Sequence, residues 1–466
     1  MRKALFVIAA MAAAWGMVQS ACPAAPIEIG SRLELFVDDY LIEKTSGDAE
    51  QCLQKPQAQE VVLVTDKPWE GNTCAYYTIF QDGDLYRMYY RGSHAEAVGG
   101  KAAHPEVACY AESKDGIHWT KPSLGLVEFE GSTENNIVWN GTGTHNFTPF
   151  KDANPACPPD AKYKALAGAS RGYKPGLYAV KSPDGIHWTL MSKEPVITQG
   201  AFDSQNLAFW DPTRKLYADF HRTFHDGVRA IMTCTSPDFL HWTEPVLLEH
   251  PGTPPEHLYT NAIRPYDRAP HVLIGFPTRF LPKTQQVEPT FMSSRDGRTF
   301  RRWTEALIPI TAPEDRDGNR SNYMTWGLVQ LPGNDREYSV YATEAYYAGP
   351  DSRVRRFTYR VDGFVSVRAS AQGGQLVTKP IVFAGKKLVV NFVTRGQGSL
   401  RVELQDADGK PIPGFALADC AELRGDAIEQ VVAWAAGDDV SPLAGKPVRL
   451  RFELKDADVF SFRFAE

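Results

Sequence analysis

The sequence predicts an all-β protein, a five-bladed β-propeller followed by a C-terminal β-sandwich, and three observations predict it. A turn motif recurs four times, every 54 to 69 residues. Alternating runs rich in Tyr, Phe, Trp and Val precede each copy, and helical periodicity is almost absent. After Val367 the motif vanishes, and short strands broken by Gly, Asp and Pro take over.

Composition sets the frame for these signals. With 466 residues, 43% of them hydrophobic and 11% aromatic, the chain has room for one large globular domain and a smaller one. The formal charge of −6 is mild and no Lys/Arg stripe is present, so nucleic acid is not expected as a partner. Residues 1–21 read as a signal peptide: Arg2 and Lys3, the apolar run Ala4 to Val18, then small residues around Ser20 to Ala25. A secreted or periplasmic location follows. Gln19 stands where a lipoprotein signal carries an aliphatic residue, which argues against an anchor at Cys22. No later apolar run reaches the roughly 20 residues that span a bilayer. Six further cysteines, Cys52, Cys74, Cys109, Cys157, Cys234 and Cys420, could form disulfides in an oxidising compartment, but sequence does not pair them. Cys109 and Cys234 fall mid-strand, where a small buried thiol is expected. No cysteine pair has metal-ligand spacing, and neither a metal nor a cofactor is expected.

The motif copies are Ser113-Lys-Asp-Gly-Ile-His-Trp119, Ser182-Pro-Asp-Gly-Ile-His-Trp188, Ser236-Pro-Asp-Phe-Leu-His-Trp242 and the stretched Ser294-Arg-Asp-Gly-Arg-Thr-Phe-Arg-Arg-Trp303. Asp-Gly between alternating runs is a tight turn, because Gly accepts the positive φ it needs. The Trp packs between neighbouring sheets. The motif is therefore read as structural, its turn histidines His118, His187 and His241 included. Walking back from each turn gives four-stranded units. Blade one is AYYTIFQ, LYRMYYRG, VACYAES and HWTKP; blade two HNFTPFKD, YKALAGAS, GLYAVKS and IHWTLMS; blade three DSQNLAFWD, KLYADFHRTF, VRAIMTCTS and LHWTEP. Blade four runs from YTNAIRPY through HVLIGFPTRF and PTFMSS to FRRWTEA. A fifth, lacking the motif, is MTWGLVQL, EYSVYATEAYY and VRRFTYRV. The N-terminal strands LELFVDDYLIE and EVVLVTD remain to close the ring on the last blade, giving a propeller over residues 28–368. From Gln375, KLVVNFVT, SLRVELQD, PVRLRFELK and VFSFRF read as a β-sandwich over 375–466 that caps the propeller.

In such a ring the inner strands line a channel, and the segments leading into them converge at one mouth. Those segments carry Glu70 and Asn72, His145 and Asn146, Asp203 and Asn206, Glu256, His257 and Asn261, and Arg320 and Asn322, beside aromatics such as Tyr76, Phe147, Tyr259 and Trp326. Turns collect polar residues in any protein, but here five blades present them in one register. Carboxylates beside aromatic platforms are what glycoside cleavage needs: an acid for the leaving oxygen, a base or nucleophile, and apolar faces for sugar rings.

The five-blade pattern with a trailing β-sandwich resembles the propeller glycoside hydrolases of the invertase, levansucrase and arabinanase type. It looks most like secreted bacterial relatives carrying LFVDDYLIE, DGDLYRMYYRG, AFDSQNLAFWD, LYTNAIRPY, GFPTRF and RRFTYRVDGFVSVRA, over residues 30 to 466. The invertase-type Asn-Asp-Pro-Asn, Arg-Asp-Pro and Glu-Cys motifs are absent; Trp210-Asp211-Pro212 reads as a hairpin turn. By position, the resemblance implies Asp203 as nucleophile or base and Glu256 as proton donor. Glu70 joins the catalytic set, with Asn72, His145, Asn206, His257, Asn261, Arg320, Asn322 and Trp326 binding a carbohydrate substrate. Asp38 and Asp39 form a reserve pair. Alternatives are a non-catalytic glycan-binding propeller, a sialidase, which would need six blades and an Arg triad, and a glycoside phosphorylase holding phosphate on Arg264, Arg279 and Arg320.

Overall fold

The structure, a computed structural model, describes residues 25–96, 100–169, 172–311 and 321–466. The expected signal peptide, Cys22 and Arg320 lie outside the described residues. Five blades are present. Blade one is Ala75–Asp82, Leu85–Gly92, Val107–Ser113 and Trp119–Thr120, with Ile137–Trp139 added on Val107–Ser113. Blade two is Thr148–Lys151, Tyr163–Gly168, Leu177–Ser182 and Thr189–Leu190. Blade three is Leu207–Asp211, Leu216–His225, Val228–Ser236 and Val246–Leu247. Blade four is Arg264–Tyr266, Ala269–Gly275, Met292–Ser294 and Arg301–Arg302, with a side hairpin of Thr278–Leu281 and Gln286–Pro289. Blade five joins Glu337–Glu344, Arg353–Arg360 and, from the far end of the chain, Gln57–Val64. Its inner edge is bridged at Met324 and Val329, and Trp326 exchanges hydrogen bonds of 2.8 and 2.9 Å with Ile79 and Tyr77 of blade one, closing the ring.

The EVVLVTD strand thus closes the propeller as expected; LELFVDDYLIE does not. Its strands Glu34–Leu35 and Ile42–Gly47 pair with Val448–Ala465 and Gly374–Thr378, while Ile27–Gly30 and Glu50–Leu53 join the same sheet. Burial is the reason. Phe36 is fully enclosed against Phe452 and Phe462, with ring centroids 5.8 and 5.6 Å away. Asp38 and Asp39 pair with Arg295 and Arg301 at this seam, not at the channel. The four N-terminal strands and the six from Val365 onward form a ten-stranded sheet around its own apolar core, spanned by the long antiparallel pair Lys387–Asp406 and Val448–Ala465. Register shifts after Asn391 and Thr394 let that pair bend.

The recurrent turns are docking devices between blades. In every copy one aspartate oxygen accepts two successive backbone N–H groups: Ile117 and His118 on Asp115, Ile186 and His187 on Asp184, Leu240 and His241 on Asp238, and Arg298 and Thr299 on Asp296. The next residue has φ near +70 to +80°, which suits Gly116, Gly185 and Gly297. Phe239 bears the same conformation and spends its ring on Phe150 of blade two, 5.6 Å away. The Gly116 carbonyl accepts from Trp119 Nε1 at 3.1 Å and from the Tyr341 hydroxyl of blade five at 2.8 Å. Gly185 repeats this with Trp188 at 3.0 Å and Tyr89 of blade one at 2.8 Å. His118, His187 and His241 point to solvent and only brace their own aspartates.

Two expected outcomes arise here. Trp188 is 7% exposed and lies edge-on to Tyr89 and Phe147, so Trp188→Ala should cost about 3–5 kcal/mol in chemical denaturation. Burial would raise the carboxyls of Asp115, Asp184 and Asp238, but their histidine and backbone hydrogen bonds outweigh it and hold them well below the usual aspartate value of 3.8. A depressed carboxyl stabilises the fold above its unfolded pKa. The thermal midpoint should therefore hold steady above about pH 4 and fall as pH drops further.

Six cysteines of the described residues are unbonded, Cys109 and Cys234 among the buried ones. Among the described residues no helix is long and apolar enough to cross a membrane, and no group of three or more His, Cys, Asp or Glu side chains could hold a metal ion.

Candidate active site

Side chains from all five blades meet in an unbroken circle at one pole of the ring. Tyr76 of blade one lies 5.5 Å from the His145 ring of blade two. His145 Nε2 is 2.8 Å from Asp203 Oδ1 of blade three. The Ser204 hydroxyl donates to the Tyr259 carbonyl at the entrance to blade four, at 2.6 Å. Tyr259 meets Tyr323 of blade five edge-on at 5.5 Å, and Tyr323 meets Tyr346 at 5.6 Å. The circle closes where Arg91 of blade one donates to the Tyr346 hydroxyl at 2.9 Å. Below it Gln205 donates to the Tyr77 carbonyl at 3.0 Å and so spans the channel, leaving a cavity of about 20 Å³, room for a single water.

The chemistry sits on one side of this circle. His145 bridges two carboxylates, with Nδ1 2.9 Å from Glu106 Oε2 and Nε2 2.8 Å from Asp203 Oδ1. Because the two ring nitrogens point to opposite sides, those carboxyl oxygens stand roughly 8 Å apart at most, a ceiling that leaves room for the separation of about 6.5–9.5 Å seen in inverting glycosidases. The Arg91 guanidinium comes within 3.1 Å of the ring and is anchored on the Thr73 carbonyl at 2.7 Å. Burial and Arg91 both push the His145 pKa down, but its hydrogen bonds to Asp203 and Glu106 prevail and raise it above 6.5. The carboxylates respond in the opposite sense. Burial opposes ionisation of each, and hydrogen bonding to His145 together with the arginine charges brings Asp203 and Glu106 below their usual values. These hydrogen bonds favour a protonated imidazole held between two ionised carboxylates. Asp203 is the accessible member, its side chain 65% exposed.

Of the residues expected at the mouth, Asp203, His145, Tyr76 and Tyr259 are there. His257 stands beside it, its Nδ1 accepting the Arg229 N–H at 3.2 Å. Glu70 is not. It is 1% exposed inside blade one, where Oε1 accepts the Tyr90 hydroxyl at 2.5 Å and Oε2 meets Lys121 Nζ at 2.6 Å. Glu256 turns to the outer strand of blade four, bound by Arg302 and, at 2.8 Å, by Arg279. Two arginines satisfy it there, and it is not paired with Asp203. The asparagines are scaffolding. Asn72 ties Gly349 and Ala95 together, Asn206 folds the 202–206 loop on the Phe202 and Ser204 carbonyls, and Asn261 holds Phe220. Asn322 is enclosed at a φ of +73°, and Trp326 gives its indole N–H to Ile263 in the ring closure. Of the arginines weighed for phosphate, Arg264 lies down the channel on the Leu328 carbonyl and Asp267, and Arg279 is shared by Glu256 and Glu288.

The members that sequence reading missed are Arg91, Glu106, Arg222, Arg229 and Tyr346. All lie between the second and third strands of their blades or at the ends of those strands. An antiparallel blade returns to the starting pole at that connection, so those loops reach the mouth as surely as the segments leading into the inner strands. The available signal was charge at the end of one aromatic strand or the start of the next, as in YYRG, HPEVACY and FHRTFHDGVR.

No protein-family model matches the chain. Two uncharacterized proteins of Mycobacterium tuberculosis, from strains CDC 1551 / Oshkosh and H37Rv, are 31% identical to it over 141 residues, 29% of this chain and 40% of theirs. The match therefore spans less than half the length of these curated relatives. Solved structures that it resembles include an N-acetylgalactosamine deacetylase from F. plautii in complex with blood group B trisaccharide, at 11% identity and a TM-score of 0.48 over 67% of this chain and 96% of that one. A thermostable family-43 glycoside hydrolase is similar at 14% identity and a TM-score of 0.45, covering 64% and 95%. A GH130 protein, from a family described as mannoside phosphorylases that contains glycoside hydrolases acting on β-1,2 mannosidic linkages, is similar at 13% identity and 0.46, covering 66% and 94%.

Proposed function

We propose that the protein is an exported glycoside hydrolase that cleaves a poly- or oligosaccharide at the mouth of its propeller. One observation carries this reading: Asp203 and Glu106 flank His145 from opposite sides, inside a rim of tyrosines. The tyrosines offer apolar faces on which sugar rings stack. Asp203, the exposed carboxyl, passes the His145 Nε2 proton on to the leaving oxygen. Glu106 draws a proton from the attacking water. Glu106 then releases its proton to solvent, and His145, which has kept its Nδ1 proton, regains one at Nε2 from solvent, so the trio ends each turnover as it began with one water added across the bond. Arg91 fixes the imidazole and compensates the carboxylate pair. The test is a screen of the full chain against plant and algal polysaccharides for release of reducing ends. Release by the wild-type protein that is absent in Asp203→Asn supports the assignment; equal release by both defeats it.

A further inference from the structure

Beside Asp203 the mouth carries cationic charge that nothing in the proposed reaction uses. Arg222 lies near the end of the second strand of blade three and Arg229 near the start of the third, where it pairs with Phe224, 52% exposed. The Arg222 and Arg229 guanidinium carbons lie 5.0 and 5.3 Å from the Tyr259 ring centroid, and each is 5.4 Å from Phe224.

Arg222 is only 4% exposed, yet among the described residues its guanidinium makes one hydrogen bond, from Nε to the Ala201 carbonyl at 3.1 Å. Asp203 Oδ2 stands 3.6 Å away, beyond hydrogen-bond reach, and both terminal nitrogens lack a bonded acceptor. The Arg229 Nε is buried without a partner. Buried donors are ordinarily satisfied. In blade four, by contrast, carboxylates meet the guanidinium groups: Arg279 and Arg302 share Glu256, with Glu288 as a further partner of Arg279. At the mouth two guanidinium groups face each other instead, and burial together with the charge of Arg222 lowers the Arg229 pKa despite Tyr259. Around them stand Arg91 and His145, with Glu106 and Asp203 as the facing carboxylates among the described residues.

We propose that Arg222 and Arg229 form an oxyanion subsite that holds the carboxylate or sulfate ester of an acidic sugar bound across Asp203. The planar guanidinium fork matches an oxyanion in geometry. Tyr259 and Phe224 supply the apolar face for the ring that bears it. A neutral sugar leaves the orphaned donors unpaired, so charge on the sugar becomes the basis of selection. The subsite rests on the reading of the mouth as a glycan site. Free inorganic phosphate has the same chemistry and is a separate arm of the test.

The experiment is isothermal calorimetry on the full chain with oligogalacturonate, glucuronoxylan and sulfated galactan fragments, each beside its carboxyl-reduced or desulfated counterpart, and with inorganic phosphate. At least one acidic fragment should bind about ten- to a hundredfold tighter than its neutral counterpart. That preference should fall close to unity in Arg222→Met and in Arg229→Met, where the apolar stem is kept. Arg229 is half-buried, so its variant stays informative if Arg222→Met does not fold. Phosphate that competes in the wild type and not in the variants supports the subsite and identifies the free ion as its occupant. Equal binding of charged and neutral fragments, a preference that survives both substitutions, or no binding by any acidic fragment or phosphate overturns it. An acidic fragment bound with preference and never cleaved defeats the hydrolase reading alone. A neutral glycan cleaved without any charge preference defeats the subsite alone.

Discussion

Asp203→Asn is expected to lower kcat by about 10²- to 10⁴-fold, the usual worth of a positioned acid or base, with little change in thermal stability. Asp203 is exposed and held by a single hydrogen bond to His145, so an amide of the same shape costs the fold little. Its proton transfer is lost entirely. His145→Gln should cost a comparable factor by a different route, because it removes the source of the proton that Asp203 passes on without removing either carboxylate. The two defects share one chain of transfers, so the double variant should be no slower than the worse single one. Additive losses would mean that the residues act separately.

The pH profile gives the same trio a second test. With the His145 pKa raised above 6.5 and Asp203 and Glu106 lowered from 3.8 and 4.5, kcat should hold a plateau across the mildly acidic range. It should fall on the alkaline side as His145 loses its proton and on the acid side as the carboxylates gain theirs. In Glu106→Gln one of the two hydrogen bonds that hold the imidazolium is weakened, so the alkaline limb should move to lower pH. An unmoved limb would show that His145 does not titrate in the reaction.

The propeller was legible because its signals are local. Each Ser-x-Asp turn is made and capped within seven residues, and the strand before it alternates on its own account. Strand partnership over some 400 residues has no such signature. Gln57–Val64 and Ile42–Gly47 both read as strands, yet one pairs with blade five and the other with the C-terminal sheet, since what decides is the apolar surface each meets. The site divides in the same way. Asp203 and His145 were found because they precede inner strands. Glu70 and Glu256 satisfied the same rule, but a carboxylate in a loop carries no mark of the cation it will meet. Arg222, Arg229 and Glu106 lie on connections the inner-strand rule does not search.

Glu70 can be removed from the catalytic set by experiment through its partner. Lys121→Met should destabilise the protein by about 3–5 kcal/mol, because it strands a carboxylate in a blade interior that excludes water. The Lys121 ammonium meets Glu70 Oε2 at 2.6 Å and the Val64 carbonyl at 2.7 Å, and it also faces Asp66 at 3.3 Å. Val64 ends the N-terminal strand that completes blade five, whereas Lys121 follows the outer strand of blade one, so this one side chain fastens the seam where the ring closes. Glu70 in turn holds the Tyr90 hydroxyl, which accepts from Asn136, whose own oxygen binds the Trp69 indole at 2.6 Å. None of these groups reaches the circle around Asp203. Denaturant titration should therefore show a large loss of stability in Lys121→Met, while kcat per folded molecule stays within about twofold of wild type, as expected for a change that touches no reacting group. A fall in kcat in the fully folded variant, or a shift of its pH profile, would return Glu70 to the reaction.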